Sequence, residues 1–184
     1  MTREADCVAL MSAAVESYAR LDVLVCCAGI LRGAFAPVEE LAEATFDSVI
    51  DVNLKGTFLC VKHAVPWMKR AGGGVIICVA SGAGVKGGSS SVAYGSSKGA
   101  VHGLAMTLEP KLAPLGIRVN DVCPGAIDTD MKRENVADAA RAAGKPVDRA
   151  LAGANLGDPM GVARILAFLA SPDADFVRGT VFTR

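Results

Sequence analysis

Tyr94 and Lys98 stand at i and i+4 in S-S-S-V-A-Y-G-S-S-K-G, a spacing that sets two side chains beside each other on one helix face. A free phenol titrates near ~10, and a neighbouring ammonium favours the phenolate. Bringing such a phenol into use near neutrality corresponds to roughly 4 kcal/mol of differential interaction. The reward is general acid/base catalysis, worth about 10² to 10⁴ in rate. Ser81 adds a hydroxyl just past the apolar run V-I-I-C-V, where a loop should begin. Taken alone, Y-x-x-x-K describes many helices whose Tyr and Lys only share a surface. A rival chemistry is formally present, since G-S-S-K-G at 95 to 99 satisfies the G-x-S-x-G nucleophile elbow with Ser97 at its centre. That motif requires a strand running into the turn and a distant downstream His. Here the preceding residues are polar and the last histidine is His102, so the hydrolase reading lacks its partners.

These groups need elements to hold them. Positions 3 to 20 carry Val8, Leu10, Met11, Ala14, Val15 and Tyr18 near helical spacing and lead into the short apolar run L-D-V-L-V-C-C, a strand over 22 to 27. Residues 38 to 70 read as helical until G-G-G stops them, and V-I-I-C-V at 75 to 79 is a second buried strand. The small, polar stretch 81 to 91 is a loop, 92 to 114 a helix, and I-R-V-N-D-V-C at 117 to 123 a third strand closed by Pro124-Gly125. Residues 126 to 158, interrupted by Gly144, Pro146 and Gly153, form a partly helical excursion of the kind that can act as a lid. A helix over 159 to 171 and a last strand, G-T-V-F, follow. Alternating strands and helices imply right-handed crossovers, hence one α/β domain with a mostly parallel sheet, Rossmann-type, in three α/β/α layers over residues 1–184. Ligands of such sheets bind beyond the carboxyl ends of the strands, where the loops after Cys27, Val79 and Cys123 all lie.

Composition agrees. Apolar residues make up 52% and aromatics 5% of 184 residues, which suits small side chains packed around a buried parallel sheet. Nineteen basic and nineteen acidic residues cancel, without long like-charge runs, so neither nucleic acid nor an anionic membrane is an expected partner; a small molecule is. No apolar run nears the ~18 residues of a membrane span. The six cysteines are scattered without C-x-x-C spacing and read as reduced thiols of a cytoplasmic protein. His63 and His102 have no ligand spacing around them, so no metal site is expected.

The set V-I-I-C-V-A-S, Y-G-S-S-K, D-V-N-L-K-G-T-F, P-G-A-I-D-T-D-M and L-D-V-L-V-x-x-A-G resembles the short-chain dehydrogenase/reductase family in order, spacing and placement over nearly the whole chain. The resemblance implies an NAD(P)-dependent oxidoreductase that interconverts a secondary alcohol and a ketone by hydride transfer, with NAD or NADP as cofactor. It implies Tyr94 as general acid/base, Ser81 as the hydrogen-bond partner of the substrate oxygen, and Lys98 as the group that lowers the Tyr94 pKa and binds the nicotinamide ribose. Asn53 would support a water in the proton relay at a helix kink. Ala28 and Gly29 would allow close approach of the cofactor, and Pro124, Gly125, Ile127 and Thr129 would line the nicotinamide. A homodimer or homotetramer through helices 38–70 and 92–114 is also implied.

Two departures from that pattern shape the expectations. The family opens with a strand and a T-G-x-x-x-G-x-G turn that holds phosphates at a helix N-terminus, whereas the first strand here matches the family's fourth and no Gly precedes Gly29. The 184 residues alone are therefore expected to bind the dinucleotide weakly or not at all, and the alternative reading is a non-catalytic fragment or interaction module. The second departure is the pair Cys26 and Cys27, where the family usually has two Asn; thiols cannot supply those amide hydrogen bonds.

Overall fold

The computed structural model describes residues 2–183. Its core is a four-stranded, all-parallel sheet in the order β1 (Val23–Cys26), β2 (Gly74–Val79), β3 (Ile117–Cys123) and β4 (Gly179–Phe182). The β-branched residues of Val75, Ile76, Ile77 and of Ile117, Val119, Val122 favour extended backbone and fill both faces. Every residue of β3 is buried, as expected for a central parallel strand.

Helix α1 (Glu4–Tyr18) precedes β1, and it is closed by Ala19 in the left-handed region at φ 60. Between β1 and β2 the region read as one helix over 38–70 is divided. A short 3-10 turn at Val38–Glu40 leads to α2 (Glu43–Ile50), then one π-turn at Asp51–Lys55, then α3 (Gly56–Ala71). Hydrophobic spacing reports helicity but not whether a turn holds one residue too many, so the π-turn left no mark on the pattern. Helix α4 (Val92–Leu112) links β2 to β3, and α5 (Asp130–Ala142), α6 (Val147–Ala152) and α7 (Pro159–Ala170) link β3 to β4. The first two of these three are the helical parts of the excursion at 126 to 158.

One sheet face is covered by α3 and α4, with α1 packed on α3, around Met11, Leu24, Cys60, Met68, Ile76 and Val119. The other is covered by α7 through Ile77, Val122 and Leu169. These two apolar layers make the three-layer sandwich that the sequence predicts. On the α7 side β1 is less covered, since Val23 and Val25 keep 37% and 39% of their surface while Leu24 and Cys26 point into the core.

Candidate active site

Helix α4 begins where the chemistry is needed. Its N-cap Ser91 accepts a hydrogen bond from the Tyr94 amide at 3.1 Å and donates one to the Arg32 carbonyl at 2.6 Å, which ties the helix start to the loop after β1. Tyr94 therefore sits in the first turn, above the end of β2, where Ser81 emerges. The Ser81 hydroxyl neighbours the Tyr94 phenol, and Ser81 Oγ accepts from the Ala83 amide at 3.1 Å. One turn further along, Lys98 is 5% exposed and its Nζ donates to the Val79 carbonyl at 2.7 Å, 5.8 Å from the centre of the Tyr94 ring.

Electrostatically the site differs from the expectation that Lys98 lowers the Tyr94 pKa. Burial pushes the Tyr94 phenol above its ordinary value, and the Ser81 hydroxyl opposes this only in part. Burial likewise pulls the Lys98 ammonium down, opposed by the nearby thiols of Cys27, Cys78 and Cys123. A buried ammonium aimed at a carbonyl has less to give to a neighbour. Neutral Tyr94 thus contributes stability that is fully present below the ordinary phenol value of about 10 and is lost as pH rises through the raised folded value. The chain has two tyrosines, so in Tyr18→Phe the tyrosinate absorbance belongs to Tyr94 alone. It should develop above the range of a free phenol and merge with unfolding. Ionisation at or below the free-phenol value in the folded protein would refute the burial argument.

Asn53 sits in the π-turn and is 1% exposed. Its Nδ2 donates to the Ile30 carbonyl and to Ser97 Oγ, both at 2.9 Å, and its Oδ1 accepts from the Ile30 amide at 2.8 Å. Ser97 Oγ in turn donates to the Tyr94 carbonyl at 2.8 Å. The side chain so bridges the loop after β1 to the first turn of α4, behind the cleft wall and not on it. Ser97 is wholly buried and both its hydrogen-bonding roles are taken up in this bridge, inside a helix and not at a strand end. That geometry removes the nucleophile-elbow reading.

In front of Tyr94 lies a cleft of about 840 Å³, within the range of small-ligand sites. Its walls include Cys27 and Gly29 after β1, Ser81 after β2, and Pro124, Gly125, Ile127 and Thr129 after β3. These loops converge because the strands are parallel and end on the same side. A Cβ on Gly29 would stand 3.3 Å from Asn53 Oδ1, a tight fit, and 3.5 Å from Lys98 Nζ, in van der Waals contact. Ala28 is exposed and lies outside the cleft wall, unlike the other residues assigned to cofactor contact. Thr129 Oγ1 caps α5 by accepting from the Lys132 amide at 3.3 Å, which leaves its hydroxyl proton to donate into the cleft.

A profile for the short chain dehydrogenase family matches residues 1–140. The chain belongs to the short-chain dehydrogenase family. It is 40% identical over 183 residues to cis-4-hydroxycyclohexanecarboxylate dehydrogenase of Sinomonas cyclohexanicum, covering 98% of this chain and 71% of that one. Among solved structures it superposes on levodione reductase with a TM-score of 0.89 at 29% identity, covering 98% of this chain and 72% of that one. An NAD+-bound xylitol dehydrogenase gives 0.87 at 31% identity, covering 98% and 74%. Across six curated relatives the chain spans 58% to 71% of their lengths.

Within this short-chain dehydrogenase the two cysteines part company. Cys26 is 4% exposed, aligned with Cys78 in the β1–β2 register and hydrogen-bonded to it; that bond and burial push its thiol up. Cys27 is exposed and faces the cleft. Cleft residues that the motifs did not disclose include Leu31, Phe35, Met131, Val162 and Leu166, which make one apolar wall, and Asn135, whose Nδ2 donates to Ser90 Oγ at 2.8 Å. The last pair ties α5 to the loop before α4, across the mouth. No spacing rule pairs residues so distant in sequence.

Proposed function

We propose that the chain carries the catalytic half of an NAD(P)-dependent oxidoreductase that interconverts an alicyclic secondary alcohol and its ketone. The observation that supports this best is the convergence of Ser81, Tyr94 and Lys98 on one cleft, with Gly29 beside them. The residues present suit the nicotinamide end of the cofactor, with Lys98 and Thr129 as hydrogen-bond donors and Pro124, Gly125 and Ile127 as a flat wall. When bound, that cofactor supplies or accepts the hydride.

The chain's own part is the proton and the geometry. In the reducing direction Ser81 and Tyr94 hold the carbonyl oxygen, and Tyr94 Oη gives its proton to that oxygen as the carbon receives hydride. In the oxidising direction the ionised Tyr94 Oη removes the hydroxyl proton. Burial keeps the phenol protonated near neutrality, which is the form the donor role requires. Lys98, held near the cleft by the Val79 carbonyl, would hold the ribose hydroxyls of the cofactor. Asn53 acts as a positioning residue through Ser97 and Ile30.

The alicyclic assignment joins two facts: the relative named above for a hydroxycyclohexanecarboxylate, and the compact wall of Leu31, Phe35, Val162 and Leu166. Cations on the cleft wall are confined to Lys98 and Lys132, so a diphosphate finds one spare ammonium among the described residues. Turnover by the 184 residues should therefore appear with cyclic ketones such as cyclohexanone derivatives and only at high cofactor concentration, read as loss of reduced-nicotinamide absorbance. Equal turnover of open-chain ketones would sink the substrate class. Absence of turnover with every ketone, at cofactor levels shown by calorimetry to saturate the chain, would sink the catalytic assignment in favour of an interaction module.

A further inference from the structure

One turn of α4 beyond Lys98, on the same helix face, a second cluster of reactive groups lies between the helix and the sheet. Asp121, on the central strand β3, is 1% exposed. His102 Nδ1 is 2.9 Å from its Oδ2, Thr180 Oγ1 donates to its Oδ1 at 2.8 Å, and Cys123 Sγ is 3.5 Å from Oδ2. Among the described residues, His102 is the ion-pair partner of this carboxylate. The remaining neighbours, a hydroxyl and a thiol, are neutral.

A carboxylate buried in the middle of an apolar sheet is costly unless positive charge accompanies it. A half-exposed imidazole supplies that charge only when protonated. We propose that His102, Asp121 and Cys123 form a binding site for one Zn²⁺ ion, distinct from the catalytic cleft. The donor atoms, an imidazole nitrogen, a carboxylate oxygen and a thiol sulfur, all lie within 4.8 Å of one another. That is the mixed N/O/S set zinc prefers, and tetrahedral bonds of about 2.0 to 2.3 Å put donors roughly 3.3 to 3.8 Å apart. The Asp121 carboxylate stands 2.9 Å from the imidazole nitrogen and 3.5 Å from the thiol, and with all three donors inside 4.8 Å the ion would draw the imidazole and thiol toward each other by up to about 1 Å. Thr180 Oγ1, 3.3 Å from His102 Nδ1, stands where a fourth, weaker ligand or a water would complete the shell. The ion reaches the site past the His102 ring, whose side chain is 30% exposed. On binding, the Cys123 S–H bond breaks, its proton passes to solvent, and a Zn–S bond forms, while imidazole binds in its neutral form. The sequence showed no ligand spacing because the donors come from a helix and a strand that only the fold brings together.

The site adjoins the catalytic centre, since the Cys123 thiol interacts with the Ser81 backbone and with the Lys98 ammonium. Zinc occupancy therefore bears on the loop that carries Ser81.

Co²⁺ is the probe, because a tetrahedral cobalt–thiolate site gives a near-ultraviolet charge-transfer band and intense visible bands that Zn²⁺ then removes. One equivalent of Co²⁺ added anaerobically to the purified full chain should develop these bands. His102→Gln and Cys123→Ser should each weaken binding by at least about 100-fold, more than loss of an outer-shell partner does, while Cys27→Ser should leave it unchanged. Melting curves without metal establish that each variant is folded. Absence of the bands in the native chain, or their survival in folded His102→Gln and Cys123→Ser with loss in Cys27→Ser, would overturn the proposal and assign any metal binding to the exposed thiol.

Discussion

Tyr94→Phe lowers kcat for ketone reduction by a factor of about 10² to 10⁴, the range that a positioned proton donor contributes. The substitution deletes one oxygen and keeps the ring that fills the start of α4, so the fold has no reason to fail. Substrate binding should change little, because Ser81 still offers its hydroxyl to the carbonyl oxygen. The loss should therefore lie in kcat and leave KM within a few-fold, the pattern of an interaction made in the transition state. Ser81→Ala gives the complementary result: it removes both the oxygen's second partner and the hydroxyl that offsets burial of the phenol. A Tyr94→Phe enzyme that turns over at the native rate would remove Tyr94 from the chemistry.

The largest structural effect is expected at Asn53. In Asn53→Ala the Ile30 amide and carbonyl lose their partners together, and Ser97 Oγ loses a donor. A fully buried group left without a partner costs about 1 to 3 kcal/mol; Ile30 is only partly buried and water replaces some of what it loses, so a total of roughly 2 to 4 kcal/mol is expected. For a chain of this size that corresponds to a fall in Tm of roughly 5 to 15 °C. Hydrogen exchange gives the sharper reading, since the Ile30 amide should lose protection while β3 amides keep theirs. Asn53→Asp tests direction: it retains an acceptor for the Ile30 amide but sets an acceptor against the Ile30 carbonyl, so it should be little better than alanine. A melting temperature equal to that of the native chain would show that the bridge holds nothing.

What could be read from residues alone followed the length scale of the signal. The run I-R-V-N-D-V-C announced β3, and its neighbour Pro124-Gly125 announced the turn, because strand, burial and stop are local properties. The i, i+4 pair of Tyr94 and Lys98 announced a shared helix face for the same reason. Asn53 was legible as part of a motif, but the π-turn that buries it depends on α2 and α3 being packed at the same time against α4 and the sheet. The direction of the Tyr94 perturbation was also out of reach, since it depends on how deeply the phenol is enclosed and on Lys98 being drawn away to Val79. His102 and Asp121 each looked ordinary in sequence. Their meeting is a consequence of α4 lying over β3.

The π-turn has a further meaning for how the chain tolerates change in length. A regular helix turns about 100° per residue, and Asp51–Lys55 holds one residue more than an α-turn would between α2 and α3. Removing any one residue there would restore an unbroken α-helix and rotate α2 by about that angle relative to α3. The face of α2 now seated on α4 would then look elsewhere, and Asn53 would leave Ile30. Loop 81–91 is held by contacts of single residues, such as Ser90 with Asn135 and Gly84 against Gly95, and sets no helix phase. Asp51–Lys55 does set one, and acts as the phase reference of the fold: chains that share this site must agree on its count to the residue.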